Sequence, residues 1–306
     1  MNEAEWLKRI YAYLDEDFQN EDCAVIKKDD NHYLVITTDA LVEKVHFDFS
    51  YFTYYQVGYK LGVVNLSDIA STGAKPLWAL LTLGDKNLTE KHLEFLNGLK
   101  TILNKTQTKL IGGDTVKSPF FFANLTVFGE TKYPLLRKGA NVEDFIFVSK
   151  PLGESSAFLK YVKEHPHSAI PENLKKAHLM PYPEVELGML LSNYKIASSC
   201  IDVSDGLVID LYRICEKNKV GAIIWEHKIP IGQEATFEDA LYGGEDFALL
   251  FTVPKSNLPK LQLIENKLKK KLYCIGTIIK EKKIYLQKKN MLEELLIKGF
   301  DHFTNL

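Results

Sequence analysis

Leu34, Val35 and Ile36 are consecutive apolar residues, and Thr37-Thr38-Asp39 follows them at once. A short apolar run of this kind reads as a buried strand, so HYLVITTD is expected to be one. The period then changes. In TYYQVGYKLGVVNLSDIAST, residues Val57, Leu61, Val64 and Asp68 fall at i, i+4, i+7 and i+11, the stripe of a helix with Thr53 as N-cap. PLWALLTLG reads as a strand, EKHLEFLNGLKTILNK as a helix, and TKLIGGD and FFFANLTVFGE as two more strands. TKYPLLRKGAN, with Pro134 and Gly139 between apolar runs, interrupts the pattern and marks a boundary between domains 1–136 and 137–306.

The second half repeats the alternation. DFIFVSK reads as a strand and GESSAFLKYVKE as a helix, followed by a polar stretch holding Pro166, Pro171, Pro181 and Pro183. KIASSCID reads as a strand, SDGLVIDLYRICEKN as a helix and VGAIIWEH as a strand. YGGEDFALLFTV, a helix near 256–268, and strands around KLYCIGTII and KIYLQ complete a mixed α/β chain.

Composition narrows the class. The chain has 306 residues, 46% hydrophobic and 25% charged, the profile of a soluble protein of two domains. Its net charge of -2 creates no field that would recruit nucleic acid or an acidic membrane. The lysine runs ENKLKKK and KEKKIYLQKKN lack interleaved aromatics and read as solvated faces. Four dispersed cysteines, Cys23, Cys200, Cys215 and Cys274, form no CxxC pair, which argues for a reducing compartment and against structural zinc. MNEAEWLKRIYAYL lacks a signal-peptide apolar region, and no run approaches the ~20 residues of a membrane span. A cytoplasmic protein is expected.

The chemistry lies in acids where apolar residues belong. Asp68 occupies the apolar helical stripe, one turn after Asn65, and a buried carboxylate needs a cation or several donors. KLIGGD ends in Asp114, and SCIDVSDGL places Asp202 at a strand end and Asp205 at a helix start with Ser204 between. ALYGGEDFALLF sets Gly243-Gly244-Glu245-Asp246 before a buried strand, and His46 follows Asp39 on a loop. Each alone is also ordinary turn or capping chemistry. Taken together, Asp22, Asp39, Asp68, Asp114, Asp202 and Asp205 are expected at the ends of apolar elements. Two carboxylates ~4 Å apart repel by roughly 4 kcal/mol at an effective dielectric near 20, so a convergent cluster calls for bound cations. All-oxygen ligands without cysteine suit Mg²⁺ rather than zinc, and Mg²⁺ shares its shell with phosphates. No G-x-x-x-x-G-K-[ST] or GxGxxG occurs, which disfavours P-loop and Rossmann nucleotide sites. Gly112-Gly113 and Gly243-Gly244 can instead bring backbone N–H groups to phosphate, with Arg137 and Lys138 adding positive charge.

EDCAV (21–25), ITTDALVEKVHF (36–47), VVNLSDIASTGAKPLWAL (63–80), IGGD (111–114), RKGA (137–140), IDVSDGL (201–207), YGGEDF (242–247) and KGFDHF (298–303) resemble, in this order, the thiamine-monophosphate kinase family. That family shares a superfamily with aminoimidazole ribonucleotide synthetase, selenophosphate synthetase and a hydrogenase-maturation protein. The resemblance implies an α+β, two-domain aminoimidazole ribonucleotide synthetase-like fold. Its N-terminal domain would form a β-barrel-like interface in a homodimer, and a C-terminal α+β domain would close over ATP in a groove. It implies transfer of the γ-phosphate of ATP to thiamine monophosphate, giving thiamine diphosphate, with several Mg²⁺ ions.

By motif position, the resemblance makes Asp22, Thr37, Thr38, Asp39, Asp68, Asp114, Asp202 and Asp205 metal ligands, with Asp39 and Asp68 at the catalytic centre. Gly113, Asp114, Arg137 and Ser204 fall at ATP-contacting positions, and His46, Glu245 and Phe300 at substrate-contacting ones. Glu21 stands where the family commonly has Asp, Phe300 where it has Trp, and Leu96 where some members carry an aromatic. Phe300 retains a stacking face without the indole N–H. The rival readings are another ATP-dependent synthetase of the superfamily, a non-catalytic nucleotide-binding regulatory dimer, and a metal-dependent phosphatase. No reactive cysteine sits in an N-terminal glycine-rich loop and the chain ends HFTNL, unlike the selenophosphate and hydrogenase-maturation relatives. Aminoimidazole ribonucleotide synthetase fits ITTDALVEKVHF and KGFDHF less well.

Overall fold

The computed structural model describes residues 3–14 and 21–300. A short helix, α1 (Glu3–Ile10), precedes two strands, β1 (Ala24–Lys27) and β2 (Tyr33–Val42). Period-two alternation turns Val35, Thr37, Asp39 and Leu41 of β2 toward a covered face and Thr38 and Ala40 toward an open one. Helix α2 (Tyr54–Ser71) opens with a capping box, in which Gln56 N–H donates to Thr53 Oγ1 at 3.2 Å and Thr53 N–H donates to Gln56 Oε1 at 2.9 Å. Then come β3 (Lys75–Asp85), α3 (Lys91–Lys105), β4 (Lys109–Lys117) and β5 (Phe122–Thr131).

The five strands form one open sheet in the order β1-β2-β5-β3-β4, with β3 and β4 parallel and the other neighbours antiparallel. Helix α2 lies on the covered face against β2, β3 and β5, and α3 packs on α2. The two helix backbones nearly touch. A Cβ on Gly58 would stand 1.9 Å from Phe95 O, and one on Gly98 would stand 1.8 Å from Tyr55 O.

The second sheet contains β6 (Phe145–Val148), β7 (Ser199–Val203), β8 (Gly221–Trp225), β9 (Ala248–Val253), β10 (Tyr273–Ile279), β11 (Ile284–Lys288) and β12 (Met291–Glu294). Their order is β12-β11-β8-β10-β6-β9-β7, with only the β8–β11 pair parallel. Strands β7 and β9 are buried along their whole length, which suits the mostly apolar β9 and leaves Ser199 and Asp202 of β7 as buried polar groups. The helices of this half are α4 (Glu154–Glu164), α5 (Glu172–Leu179), α6 (Val185–Asn193), α7 (Leu207–Asn218), α8 (Phe237–Tyr242) and α9 (Leu258–Leu268). No described helix is long and apolar enough to cross a membrane.

Several sequence expectations need correction. From Val57 to Ser71, α2 is buried on almost every side, and the two partly accessible positions are Val64 and Asp68. The expected stripe is therefore fully buried at Val57 and Leu61 and opens on the site at Val64 and Asp68, because α2 is covered by both halves of the chain. Asp39 and Asp114 lie inside β2 and β4 rather than at strand ends. Asp114 is on the open face of the sheet, which accepts polar side chains without ending the ladder, and Asp39 is on the covered face, where its N–H meets Asn65 of α2. The proline-bearing stretch contains α5 and α6, with Pro171 just ahead of α5, where a missing N–H costs nothing.

Candidate active site

Strand β2 and helix α2 carry their acids toward each other. Thr37 Oγ1 donates to Asp68 Oδ2 at 2.5 Å, and Asp39 N–H donates to Asn65 Oδ1 at 3.0 Å. Asn65 is itself fixed by its amide donating to Leu61 O at 3.0 Å. The C-terminal half meets this group through β7, where Ser67 Oγ donates to Asp202 Oδ2 at 2.6 Å. Asp22 arrives from the segment before β1, and its carboxylate is held by Arg137, whose Nε donates at 3.0 Å.

Four carboxylates from both halves thus face one another. Burial, then the charges of Asp39, Asp202 and Asp22, push the Asp68 carboxyl well above the usual range, against the Thr37 hydrogen bond. Burial and Asp22 do the same to Asp202. The group is short of positive charge. Among the described residues, no three His, Cys, Asp or Glu side chains are grouped to enclose an ion by themselves. Hard oxygen donors that leave a shell incomplete are what Mg²⁺ uses when it keeps waters and shares phosphate oxygens. The donor set fits that ion.

Two backbone loops border the acids. In SDG, Gly206 has φ 131, a conformation that favours glycine, and begins α7. Buried Asp210 shapes this loop, its Oδ2 accepting N–H bonds from Ser204, Asp205 and Gly206 at 3.1, 3.2 and 3.2 Å. Arg213 ties Asp210 and Asp205 together at 2.5 and 2.6 Å. The GGED loop is joined to SDG by Glu245 N–H donating to Ser204 O at 2.7 Å and Phe247 N–H donating to Val203 O at 2.9 Å. Phe300 N–H donates to Asp205 O at 3.2 Å, so the C-terminal segment reaches the same loop with the Phe300 ring exposed. The last three residues of KGFDHF lie outside the described residues.

The expected residues therefore fall into groups. Asp22, Thr37, Asp39, Asp68, Asp202 and Arg137 come together, and Ser204, Asp205, Glu245 and Phe300 lie on adjoining backbone. Thr38 faces the opposite side of the sheet, where its Oγ1 is 3.0 Å from Thr126 Oγ1. Asp114 lies on that open face too, in a row with Thr82, Asn124 and Ala40. Three strand spacings, ~14 Å, separate its strand from β2, so Asp114 and Thr38 do not meet within one chain. Gly113 lets β4 approach β3, since a Cβ there would stand 1.7 Å from Leu81 O. His46 sits in the turn after β2, its Nδ1 accepting Val42 N–H at 3.1 Å. Glu21, the departure from the family pattern, accepts Arg137 N–H at 2.7 Å and faces Lys217 at 3.5 Å. Leu96 packs against the core.

Lys60, His178, Asp210 and Arg213 were not anticipated. Lys60 Nζ stands 2.8 Å from Glu245 Oε1, and His178 Nδ1 stands 3.4 Å from Oε2. An i, i+3 Asp–Arg pair following SDG was the available signal for Asp210 and Arg213.

Comparison with known proteins agrees with this geometry. Residues 20–131 match the family model for AIR synthase related protein, N-terminal domain, and residues 141–289 match its C-terminal domain. The chain is 38% identical to thiamine-monophosphate kinase of Buchnera aphidicola subsp. Acyrthosiphon pisum over 307 residues, 92% of this chain and 91% of that one. Against the Escherichia coli strain K12 thiamine-monophosphate kinase it is 33% identical, over 93% of this chain and 91% of the other. The solved structure of AaThiL complexed with AMPPCP and TMP superposes with a TM-score of 0.87 at 28% identity, covering 99% of this chain and 97% of that one. With these matches to sequence and fold, the chain belongs to the thiamine-monophosphate kinase family.

Proposed function

We propose that the chain transfers the γ-phosphate of ATP directly to the phosphate of thiamine monophosphate, giving thiamine diphosphate and ADP. The mutual approach of Asp22, Asp39, Asp68 and Asp202 carries this reading, because such a group is tolerable when cations and phosphates share it. The relatives named thiamine-monophosphate kinase and the AaThiL complex with AMPPCP and TMP supply the two substrates of the proposal.

The acceptor is itself a phosphate, ionised at neutral pH, so no strong general base is required. The barrier is repulsion between two anions, which positioning and fixed charge overcome. Asp22, Thr37, Asp39, Asp68, Asp202 and Asp205 are assigned to hold Mg²⁺ within the chain, with Asp39 and Asp68 central; Thr38 and Asp114, on the open face of the sheet, are assigned to Mg²⁺ through the second copy proposed below. Bound there, Mg²⁺ would supply charge neutralisation at phosphate oxygens. Gly113, Asp114, Arg137 and Ser204 are assigned to ATP, and His46, Glu245 and Phe300 to thiamine monophosphate.

A homodimer is part of the proposal. Strand β4 is exposed along its whole length, and Trp78, Leu80, Leu110, Ile111 and Val116 present apolar side chains on β3 and β4. A long exposed apolar edge invites a second copy. The proposed domain division at 136/137 falls in the segment between β5 and β6. Free thiols at all four cysteines favour a cytoplasmic setting.

The test is incubation of purified protein with thiamine monophosphate, ATP and Mg²⁺, with product followed by mass. Thiamine diphosphate that disappears on chelation is expected. Absence of that product, with ATP intact or merely hydrolysed, overturns the reading.

A further inference from the structure

Lys60 lies in the middle of α2 with a fully buried side chain, its ammonium 2.8 Å from Glu245 Oε1 and 5.3 Å from the centre of the Phe52 ring. Burial pulls the Lys60 ammonium down from its ordinary range, opposed by the Glu245 charge. A Leu or Met would fill the slot without that penalty, so core packing does not account for a lysine here.

His178, from α5, approaches the other oxygen. Its ring is buried and stacked on Phe158 at 4.4 Å and 15°, with Nδ1 2.9 Å from Ser155 Oγ and 3.4 Å from Glu245 Oε2. Nε2 has no hydrogen-bond partner among the described residues. Burial and the Lys60 charge push His178 well below its usual range, so the ring is neutral and carries one N–H. Assigning that proton to Nδ1 places it between Ser155 Oγ, the nearer partner, and Glu245 Oε2, and leaves Nε2 as a bare acceptor rather than a bare donor.

Glu245 is pinned at both ends. Its backbone has φ 61 and Phe247 has φ 49, left-handed values for residues with side chains. Both are strained backbone conformations, and the N–H bonds to Ser204 and Val203 maintain them. The Glu245 side chain retains 29% exposure, while Lys60 retains 0% and His178 1%. Of the three, the carboxylate is the group a ligand can reach.

Given the kinase reading above, on which this inference rests, the substrate presents a single N–H donor group, the exocyclic amine of its pyrimidine ring. We propose that Lys60 and His178 are positioning residues that fix the Glu245 carboxylate to accept that amine, making the three residues one specificity device. The device spans both domains. Lys60 comes from the N-terminal half and the other two from the C-terminal half, so Glu245 is correctly aimed when α2 and α5 are in register.

The test is steady-state kinetics of wild type, Lys60→Met, Glu245→Gln and the double variant, using thiamine monophosphate and oxythiamine monophosphate, in which oxygen replaces the amine. Lys60→Met is expected to raise the KM for thiamine monophosphate about tenfold, through loss of the buried ion pair that holds the carboxylate, while leaving the KM for ATP unchanged. It should also reduce discrimination against the oxythiamine substrate and add nothing in the Glu245→Gln background. His178→Leu should raise the same KM, and His178→Asn, whose amide can replace the Nδ1 donor, should restore it in part. The histidine pair keeps the test open if Lys60→Met does not fold. An unchanged KM for thiamine monophosphate, or fully additive effects in the double variant, overturns the inference. Wild type assayed in parallel separates the two failures, since no thiamine diphosphate from wild type would defeat the kinase reading instead.

Discussion

Asp210→Ala is the substitution whose cost can be worked from the geometry. The carboxylate has no solvent exposure, receives three backbone N–H groups on Oδ2 within 3.2 Å, and meets Arg213 Nη1 with Oδ1 at 2.5 Å. Burial pushes its carboxyl up to about 7, while Arg213 draws it down. Four donors surround it and leave a carboxyl proton nothing to donate to, so measurements belong at pH 8, with the group ionised. Three bare N–H groups at about 1–3 kcal/mol each set a ceiling near 9 kcal/mol. The loop borders an open site where water can reach some of them, and removal of one partner from a buried ion pair costs about 3–5 kcal/mol. A loss of about 4 kcal/mol is expected, a large share of the 5–15 kcal/mol that typical domains possess. Asp210→Asn can keep its oxygen on the three N–H groups while turning NH₂ toward Arg213, which retains Asp205, so about 1–2 kcal/mol is expected. Urea unfolding with an unchanged m-value gives both numbers. An alanine variant within about 1 kcal/mol of wild type, or an asparagine variant worse than alanine, would refute the assignment of Asp210 as the organiser of the SDG loop.

Other outcomes can be checked directly. Asp68→Asn should lower kcat by about 10²–10³, yet leave the metal-free protein no less stable, because a repelled charge is removed and the Thr37 bond can persist; near-normal turnover defeats the catalytic assignment. Burial pushes Asp246 up to about 7, against the Gly153 N–H and Lys150, from an unfolded value of 3.8. A raised folded value means the stabilising contribution is complete below about 4 and is lost as pH rises through about 7. Asp246→Asn should therefore gain stability relative to wild type between pH 5 and pH 8, and urea midpoints that shift in parallel would contradict this. Gly98→Ala should cost about 1–3 kcal/mol through its clash with Tyr55 O, and an unchanged urea midpoint would show that the α2–α3 contact can yield.

The acids were legible because each broke a local rule. Asp68 is a charge on an apolar helical stripe, and Asp202 and Asp205 bracket a serine between a buried strand and a helix. Lys60 broke no such rule, since a lysine in a helix ordinarily reads as solvated. Its burial depends on α5 and the GGED loop, which arrive from the other half of the chain. His178 was hidden in a stretch read as polar and proline-bearing, with no element assigned, where the prolines punctuate two helices. Asp39 and Asp114 were expected at strand ends because apolar runs stop there, whereas both strands continue, Asp114 on the open face and Asp39 on the covered face opposite Asn65 of α2. The same alternation separates Thr37 from Thr38. Parity along β2 already contained that distinction, but the identity of the covered face required the position of α2.

Helix α2 also bears on how the chain is made. During synthesis it leaves the ribosome well before α5, α6, β7 and β9 exist, yet all four rest against it in the finished protein. A nascent first half can build its sheet and seat α3, but the flank carrying Lys60, Ser67 and Asp68 must wait for its cover. Gly188 marks how closely that cover later fits, since a Cβ there would lie 2.0 Å from Ala70 O. A chain stalled after residue 136 would expose this flank to proteases and to other nascent chains. Ribosomal release of the second half is therefore the step at which the acid site becomes both complete and protected.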